Sequence, residues 1–316
     1  MIRSSATVSF LFALSTLAIS AGVWAKPLRI AFVGDVMLDG GPGHLITNGR
    51  DPFAHVARAL LDNDVTIGNL ECAVTRQGHQ QDKSYTFKAP VESFAFLKRY
   101  FSAVSLANNH ALDWGVAGFI DELGLLRENA IPWFGGGHDL AEARRPQVLT
   151  IRGLRIALLG YNDFPPKSFA AKARRAGTAW LVERDVISDI QTAKAQGGAD
   201  LVFVYLHWGE ELTDEPTPEQ TRLARRFLDA GADAILGSHP HVTQTIEWYG
   251  GRPIVYSLGN FVFDYFPHDP AVWTSYVVRL EYDDARVAKL STLPVELDAA
   301  GIPHPTVGDF QPWIPR

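Results

Sequence analysis

Two histidines flanking one proline stand just after an apolar run: Gly237-Ser238-His239-Pro240-His241-Val242 follows residues 234–236. Neutral imidazole is the commonest side-chain metal ligand, and a pair two residues apart at a strand end can turn toward one cleft. Similar endings recur along the chain. Residues 28–33 run into Gly34-Asp35, 65–67 into Gly68-Asn69-Leu70-Glu71, 103–106 into Ala107-Asn108-Asn109-His110-Ala111-Leu112-Asp113, and 201–206 into His207-Trp208-Gly209-Glu210-Glu211. A carboxylate from Asp35 or Glu71 and the amide oxygen of Asn109 would complete a mixed nitrogen and oxygen shell with His207, His239 and His241. Such a shell suits zinc, manganese or iron better than calcium, which favours oxygen alone. Singly, Asp35 reads as a turn residue after Gly34, and His110 as a helix cap. Five runs with the same kind of ending point instead to one shared site, because open α/β sheets bind ligands outside the carboxyl ends of their strands.

Holding those endings together requires strands at each run. Strands are expected at residues 28–33, 65–67, 103–106, 201–206 and 234–236, and helices at 52–61, near 91–99, and at 116–128, 183–195 and 219–230. Asp51 and Pro52 read as the cap and first position of the earliest helix. Gly135-Gly136-Gly137 reads as a loop, residues 148–151 and 155–159 as a hairpin across Gly153, and 165–177 as an irregular surface stretch. Residues 243–248, 253–256, 274–282 and 288–295 read as consecutive antiparallel strands, and the Pro-rich tail 303–316 shows no periodicity. The alternation is that of an α/β fold with many strands buried on both faces.

The 316 residues are 47% hydrophobic and 20% charged, enough apolar material for a large core. A net charge of −6 argues against a nucleic-acid or anionic-membrane partner, which is bound through clustered Lys and Arg. The short basic pairs at Arg144-Arg145, Arg174-Arg175 and Arg225-Arg226 read as solvated faces. Cys72 is the only cysteine, which excludes an internal disulfide framework and a cysteine-based zinc site. Residues 1–25 have the form of a signal peptide: Arg3, a mostly apolar run at 8–19, and Val23-Trp24-Ala25 before a cleavage point. One exported domain, 26–316, periplasmic or extracellular after cleavage near Ala25, is the expectation.

Six blocks carry a wider resemblance. Gly34-Asp35-Val36-Met37-Leu38, Asn69-Leu70-Glu71, Ala107-Asn108-Asn109-His110-Ala111-Leu112-Asp113, His207-Trp208-Gly209-Glu210-Glu211, Gly237-Ser238-His239-Pro240-His241-Val242 and Tyr256-Ser257-Leu258-Gly259-Asn260-Phe261 occur in order between about residues 28 and 283. They resemble the CapA family of capsule and poly-γ-glutamate biosynthesis proteins. That family is similar in turn to the calcineurin-type metallophosphoesterases, which implies two mixed β-sheets packed as a sandwich between helices, a four-layer αββα fold.

The resemblance implies that Asp35 is the first metal-ligand aspartate and that Glu71, or else Asn69, is the bridging group. It implies that Asn109 and His110 are a ligand and a catalytic histidine, and that His207, His239 and His241 are the remaining ligands. The superfamily's first motif carries a histidine two residues after its aspartate, where this chain has Met37, a poor ligand for such metals. One or two divalent ions, Mn, Zn or Fe, are therefore implied. Metal-activated water would be the nucleophile, His110 the general acid oriented by Asp113, Glu211 or Glu210 a base or outer partner, and Asn260 a further cleft residue. Lys83 and Lys88 are candidates to meet an anionic substrate. The implied role is hydrolysis, of phosphoester or of poly-γ-glutamate amide links, in capsule biosynthesis. The competing implication is a non-catalytic accessory protein that binds the polymer or a membrane-bound synthase complex.

Overall fold

Apolar runs and amphipathic segments in the first two thirds of the chain fold in turn as strands and helices, in a computed structural model that describes residues 26–265, 269–283 and 285–314. The expected leader at 1–25 lies outside the described residues. The chain begins β1 (Leu28–Val36), α1 (Gly40–Thr47), α2 (Ala57–Leu61), β2 (Val65–Leu70), α3 (Ser93–Tyr100), β3 (Ala103–Ser105), α4 (Gly115–Glu128) and β4 (Trp133–Phe134). It continues through β5 (Gly136–Gly137), α5 (Leu140–Arg144), β6 (Gln147–Ile151), β7 (Leu154–Asn162), β8 (Gly177–Thr178), α6 (Glu183–Ala195), β9 (Leu201–His207), α7 (Pro218–Asp229) and β10 (Ala234–Ser238). It ends in β11 (Ile246–Tyr249), β12 (Arg252–Val255), β13 (Asn260–Val262), β14 (Thr274–Asp283), β15 (Arg286–Leu297), β16 (Pro303–Pro305) and β17 (Gln311–Pro312).

Two sheets face each other. The first is nine-stranded, in the order β16-β15-β14-β1-β2-β3-β4, with β13 also pairing β1 and β17 also pairing β15. The second has six strands in the order β11-β12-β10-β9-β7-β6. Strands β1 to β4 are parallel neighbours, as are β7, β9, β10 and β12. Ile30, Phe32 and Ile67 of the first sheet pack between the sheets against Phe203, Tyr205 and Leu236 of the second. The first sheet's outer face is covered by Ile46 of α1, Leu60 of α2, Leu97 of α3 and Phe119 and Leu123 of α4. The second sheet's is covered by Val186 and Ile190 of α6 and Leu223 and Phe227 of α7. The layers are helix, sheet, sheet and helix. Every residue of β9 is buried, as a central parallel strand covered on both faces must be. Helix α7 starts on a capping box in which the Thr217 hydroxyl accepts from the Gln220 amide and the Gln220 side chain accepts from the Thr217 amide, with Pro218 at the first turn.

Several expectations need correction. The earliest helix does not start at Pro52: the Asp51 carboxylate accepts from Phe53 N–H, a 3-10 turn covers Ala54–Val56, and α2 begins only at Ala57. The triple glycine is not merely a loop, since β5 pairs with β8. The last third is not one antiparallel run. β11 and β12 form a hairpin in the second sheet, β14 and β15 one in the first, and both β12 and β13 pair in parallel. The tail adds β16 and β17 to the edge of the first sheet. Of the basic pairs, Arg144 bonds Asp185 and Asp189, Arg225 bonds Glu247 and Arg226 bonds Glu183, all at the protein surface.

Candidate metal centre

Asp35 and Asn69 sit opposite each other in the β1 and β2 register, and Asp35 also stands opposite Asn260 of β13. Gly34 allows this crowding. A Cβ there would overlap the carbonyl oxygen of Gly259, the group that accepts from Asp35 N–H. Gly237 does the same on the second sheet, where a Cβ would overlap the Tyr256 carbonyl oxygen. His239 and His241 both have positive φ, 98° and 59°. Non-glycine residues in that region cost roughly 1–3 kcal/mol each and persist where surrounding contacts over-determine them. The strained turn aims both imidazoles inward, leaving His239 0% and His241 3% exposed.

The predicted residues converge. Asp35 Oδ1 accepts from Asn69 Nδ2 at 2.8 Å, and its Oδ2 accepts from His239 N–H at 3.2 Å and lies 3.7 Å from His241 Nδ1. His207 Nε2 is 2.8 Å from Asn109 Oδ1 and 3.4 Å from Glu71 Oε1. Asn69 Nδ2 and Ser238 Oγ each lie 3.2 Å from His207 Nδ1, so that nitrogen is held from behind while Nε2 faces Glu71 and Asn109. His241 Nδ1 is held by Asn260 Oδ1 at 2.8 Å. Asp35, Glu71, Asn69, His207, His239 and Asn260 are all fully buried.

Neither ring nitrogen of His239 has a hydrogen-bond partner, and neither oxygen of Glu71 makes a well-formed one, although Glu71 lies beside Asp35 and 3.4 Å from His207 Nε2. Buried polar groups are almost always paired, so four such atoms in one place call for an absent partner. Burial, and then the neighbouring Asp35 charge, pushes the Glu71 carboxyl well above its usual range. Burial pushes His207 and His239 well below theirs, with the adjacent imidazoles adding to the effect. A neutral imidazole is the ligand form of histidine. Three sets of ligand atoms lie within 4.8 Å of one another: Glu71 with His207 and His239, Asp35 with Glu71 and His241, and Glu211 with His239 and His241. Glu71 is shared by the first two sets. These residues are of the kind, and in the arrangement, that could hold a metal ion.

His110 stands beside this cluster. Its Nδ1–H donates to Asp113 Oδ2 at 2.7 Å, its backbone N–H donates to Asn108 Oδ1, and its ring lies 4.4 Å from that of Phe87. Burial lowers its pKa, against the opposing pull of Asp113. Asp113 is itself held by Lys83 Nζ at 2.5 Å and Phe87 N–H at 2.8 Å. A cleft of about 360 Å³ opens over Asn109, His110, His241 and the exposed Glu211. Its walls are aromatic: Tyr85, Phe87, Phe164, Phe263 and Tyr265, with Pro165 and Pro166.

Not every candidate is brought in. Lys88 lines a different groove with Asp39, His44 and Pro90, and its Nζ rests 5.2 Å from the Trp114 ring centroid. Alternation along the strand-like Phe87-Lys88 step turns Phe87 to the cleft and Lys88 away, so it is Lys83 that reaches the site. Glu211 rather than Glu210 lines the cleft. Met37 is buried in the core beneath the helices, and its Sδ accepts from Asp39 N–H. Asn69, weighed only as a substitute for Glu71, instead ties Asp35 to His207. Asn108 supports it, donating to Asn69 Oδ1 at 3.0 Å and to the Leu70 carbonyl at 2.8 Å. The stretch expected to be surface-lying at 165–177 supplies cleft wall at Pro165 and Pro166, and the ring of Phe164 just before it lies against His239, tilted by 38° at 3.8 Å between centroids.

Residues 29–265 match the family model described as bacterial capsule synthesis protein PGA_cap. The chain belongs to this family. It is 40% identical over 244 residues to the PGA biosynthesis protein CapA of Bacillus subtilis, an alignment covering 75% of this chain and 63% of that one. It is 33% identical over 293 residues to the capsule biosynthesis protein CapA of Bacillus anthracis, covering 89% of this chain and 70% of that one. The chain thus spans roughly two thirds of the length of these relatives. Among solved structures it is similar to a 5'-nucleotidase precursor from Thermus thermophilus, with TM-score 0.55, 12% identity and 88% of this chain and 56% of that one covered. It is also similar to the calcineurin-like phosphoesterase YfkN from Bacillus subtilis, with TM-score 0.51, 15% identity and 85% and 90% covered. At such identities these two show the fold alone, which is that of the calcineurin-like phosphoesterases.

Proposed function

We propose that this family member is an exported, metal-dependent hydrolase acting on poly-γ-glutamate or a related anionic cell-surface polymer during capsule biosynthesis. The observation that carries the hydrolytic reading is the Glu71 carboxyl and the His239 imidazole, buried without well-formed hydrogen bonds among Asp35, Asn109, His207 and His241. The polymer is suggested by the names of the relatives, and export by the form of residues 1–25.

Glu71 with Asn109, His207 and His239 would hold one ion, and Asp35 with Glu71 and His241 a second position. Met37 contributes nothing there. A divalent ion so held supplies a Lewis acid and lowers the pKa of water. The protein supplies the rest. Asp35 and Asn69 hold the imidazoles in place, and Asn260 fixes the His241 ring. Because His110 Nδ1–H is committed to Asp113, its Nε2 is the atom left to hold or release a proton at the leaving group. Lys83 neutralises Asp113 and ties it to the Asn109 carbonyl, so ligand and proton carrier move as one unit. The aromatic walls would set apolar surface beside the scissile group.

Elemental analysis of purified protein, paired with hydrolysis assays on poly-γ-glutamate and on a generic phosphodiester, tests this. The expected result is at least one equivalent of Mn, Zn or Fe and turnover of one substrate. Protein without metal would remove the hydrolase reading. Metal without turnover on either substrate would favour an accessory protein that binds the polymer or its membrane synthase.

A further inference from the structure

A second concavity lies at the open mouth of the sandwich, where β11 of the six-stranded sheet faces β14 and β15 of the nine-stranded one. Its volume is about 790 Å³, and Trp248, Tyr276 and Trp313 line it, all three partly buried. Trp248 and Tyr276 also cover the inter-sheet core, which holds their rings in place. Trp313 is fixed through its backbone N–H, which donates to the Leu290 carbonyl at 3.0 Å. Three ring systems thus line one groove while packing on the inter-sheet core behind it.

Three further features restrict what can lie there. Gln244 lines the groove and is only 5% exposed. Its Nε2 donates to the carbonyls of Thr213 at 2.7 Å and Glu215 at 3.2 Å, which fixes which end of the amide is which. Its Oε1 has no hydrogen-bond partner and is itself enclosed, so a donor in the groove reaches this unpaired acceptor only on a small shift of the side chain. The ionisable lining residues are Asp214 and Glu247, with no Lys or Arg among the described residues. Glu247 is already paired with Arg225 and accepts from Tyr256 OH, which leaves the exposed Asp214 as a second acceptor. With one free carboxylate and no cation among its described lining residues, the groove has nothing to attract a polyanion. It calls for an uncharged ligand with several donors and flat apolar faces.

We propose that this groove binds an uncharged saccharide chain, with sugar rings laid on Trp248 and Trp313, and hydroxyl or acetamido N–H groups donating to Gln244 and Asp214. The site is separate from the metal centre and does not depend on the hydrolase reading. One loop joins the two: Glu211 lines the metal-side cleft, Asp214 lines the groove, and the Gln244 amide bonds hold the segment after Asp214. A protein so equipped would stay on a neutral glycan while its other cleft handles a polyanion.

The test is calorimetric titration of the full chain with the tetramer of N-acetylglucosamine, followed in parallel by tryptophan fluorescence. Saturable binding is expected, weakened at least about tenfold in Trp313→Ala and about threefold or more in Asp214→Ala, with metal content unchanged in both. Asp214 lies on an exposed loop, so its variant reads the groove even if Trp313→Ala folds poorly. Absence of saturable binding would overturn the proposal, as would wild-type affinity in Asp214→Ala together with a folded Trp313→Ala. Displacement of the sugar by poly-γ-glutamate would show that the groove takes the polyanion instead. Tight binding of a polyamine such as spermidine with none of the sugar would assign it to cations.

Discussion

The two sheets contribute opposite chemistry to one site. The first brings candidate oxygen ligands, Asp35 from β1, Glu71 after β2 and Asn109 after β3, while the second brings imidazoles, His207 from β9 and His239 and His241 after β10. Each half alone is a poor site: buried carboxylates repel one another, and buried imidazoles resist protonation. Packed together they bring buried carboxyls and neutral imidazoles into groups of the kind that could hold a metal ion. The sharpest way to break the comparison is to remove one member from each side. His239→Ala and Asp35→Asn are both expected to abolish tight metal binding, with turnover falling by more than about 100-fold, beyond the loss typical of outer partners. Metal analysis and kinetics on the same preparations decide it. Retention of full metal by either variant would show that one sheet suffices.

The next largest effect separates holding metal from moving protons. Asp113 touches none of the candidate ligand atoms but orients His110 and is held by Lys83. Asp113→Asn is expected to cost turnover roughly 10²–10⁴-fold while metal content stays unchanged. Because the wrong tautomer is then favoured, the pH profile of kcat should change shape as well. Loss of metal in this variant would place His110 and Asp113 in the ligand framework instead. A milder break lies where the first sheet's β13 supports an imidazole of the second. Asn260→Ala frees the His241 ring, and metal affinity should fall about 10–100-fold, read by competition with a chelator.

The elements that hold the site were legible because their patterns are local. Helix α6 follows its apolar period from Glu183 to Ala195, and β9 is an unbroken apolar run ending at His207. Both halves of the ligand set follow such runs and could be read from them. What depends on distant contacts could not. Helix α1 contains Gly40, Gly41, Pro42 and Gly43, a poor helical sequence. It forms because Asp39 caps Gly40 N–H and the Asp264 carboxylate, 223 residues away, accepts from Gly41 N–H at 2.6 Å. The aromatic cleft wall is equally non-local, drawn from around Phe87, Phe164 and Phe263. Lys88 was misplaced for the same reason, since its sequence neighbours do not say which way its strand-like segment turns.

Glu71 also has an internal control in Glu122 of α4. Both carboxyls are fully buried, and burial holds both well above the ordinary range. They differ in company: Glu71 faces imidazoles, whereas Glu122 Oε1 accepts from Val74 N–H and its Oε2 has no partner. Metal should therefore relieve Glu71 and leave Glu122 unaffected. In the folded chain Glu122 keeps its proton to higher pH than in the unfolded chain, where it titrates near 4.5. Its stabilising contribution is complete below that value and is lost as pH rises toward the folded pKa. Glu122→Gln removes this titration while keeping the acceptor for Val74. The variant's stability relative to the parent should rise from pH 5 to pH 8, measured by denaturant unfolding, whether or not metal is bound. Glu71→Gln should instead lose metal. A pH-independent difference between Glu122→Gln and the parent would show that the Glu122 carboxyl is charged in the fold, and that burial alone does not set the protonation of Glu71.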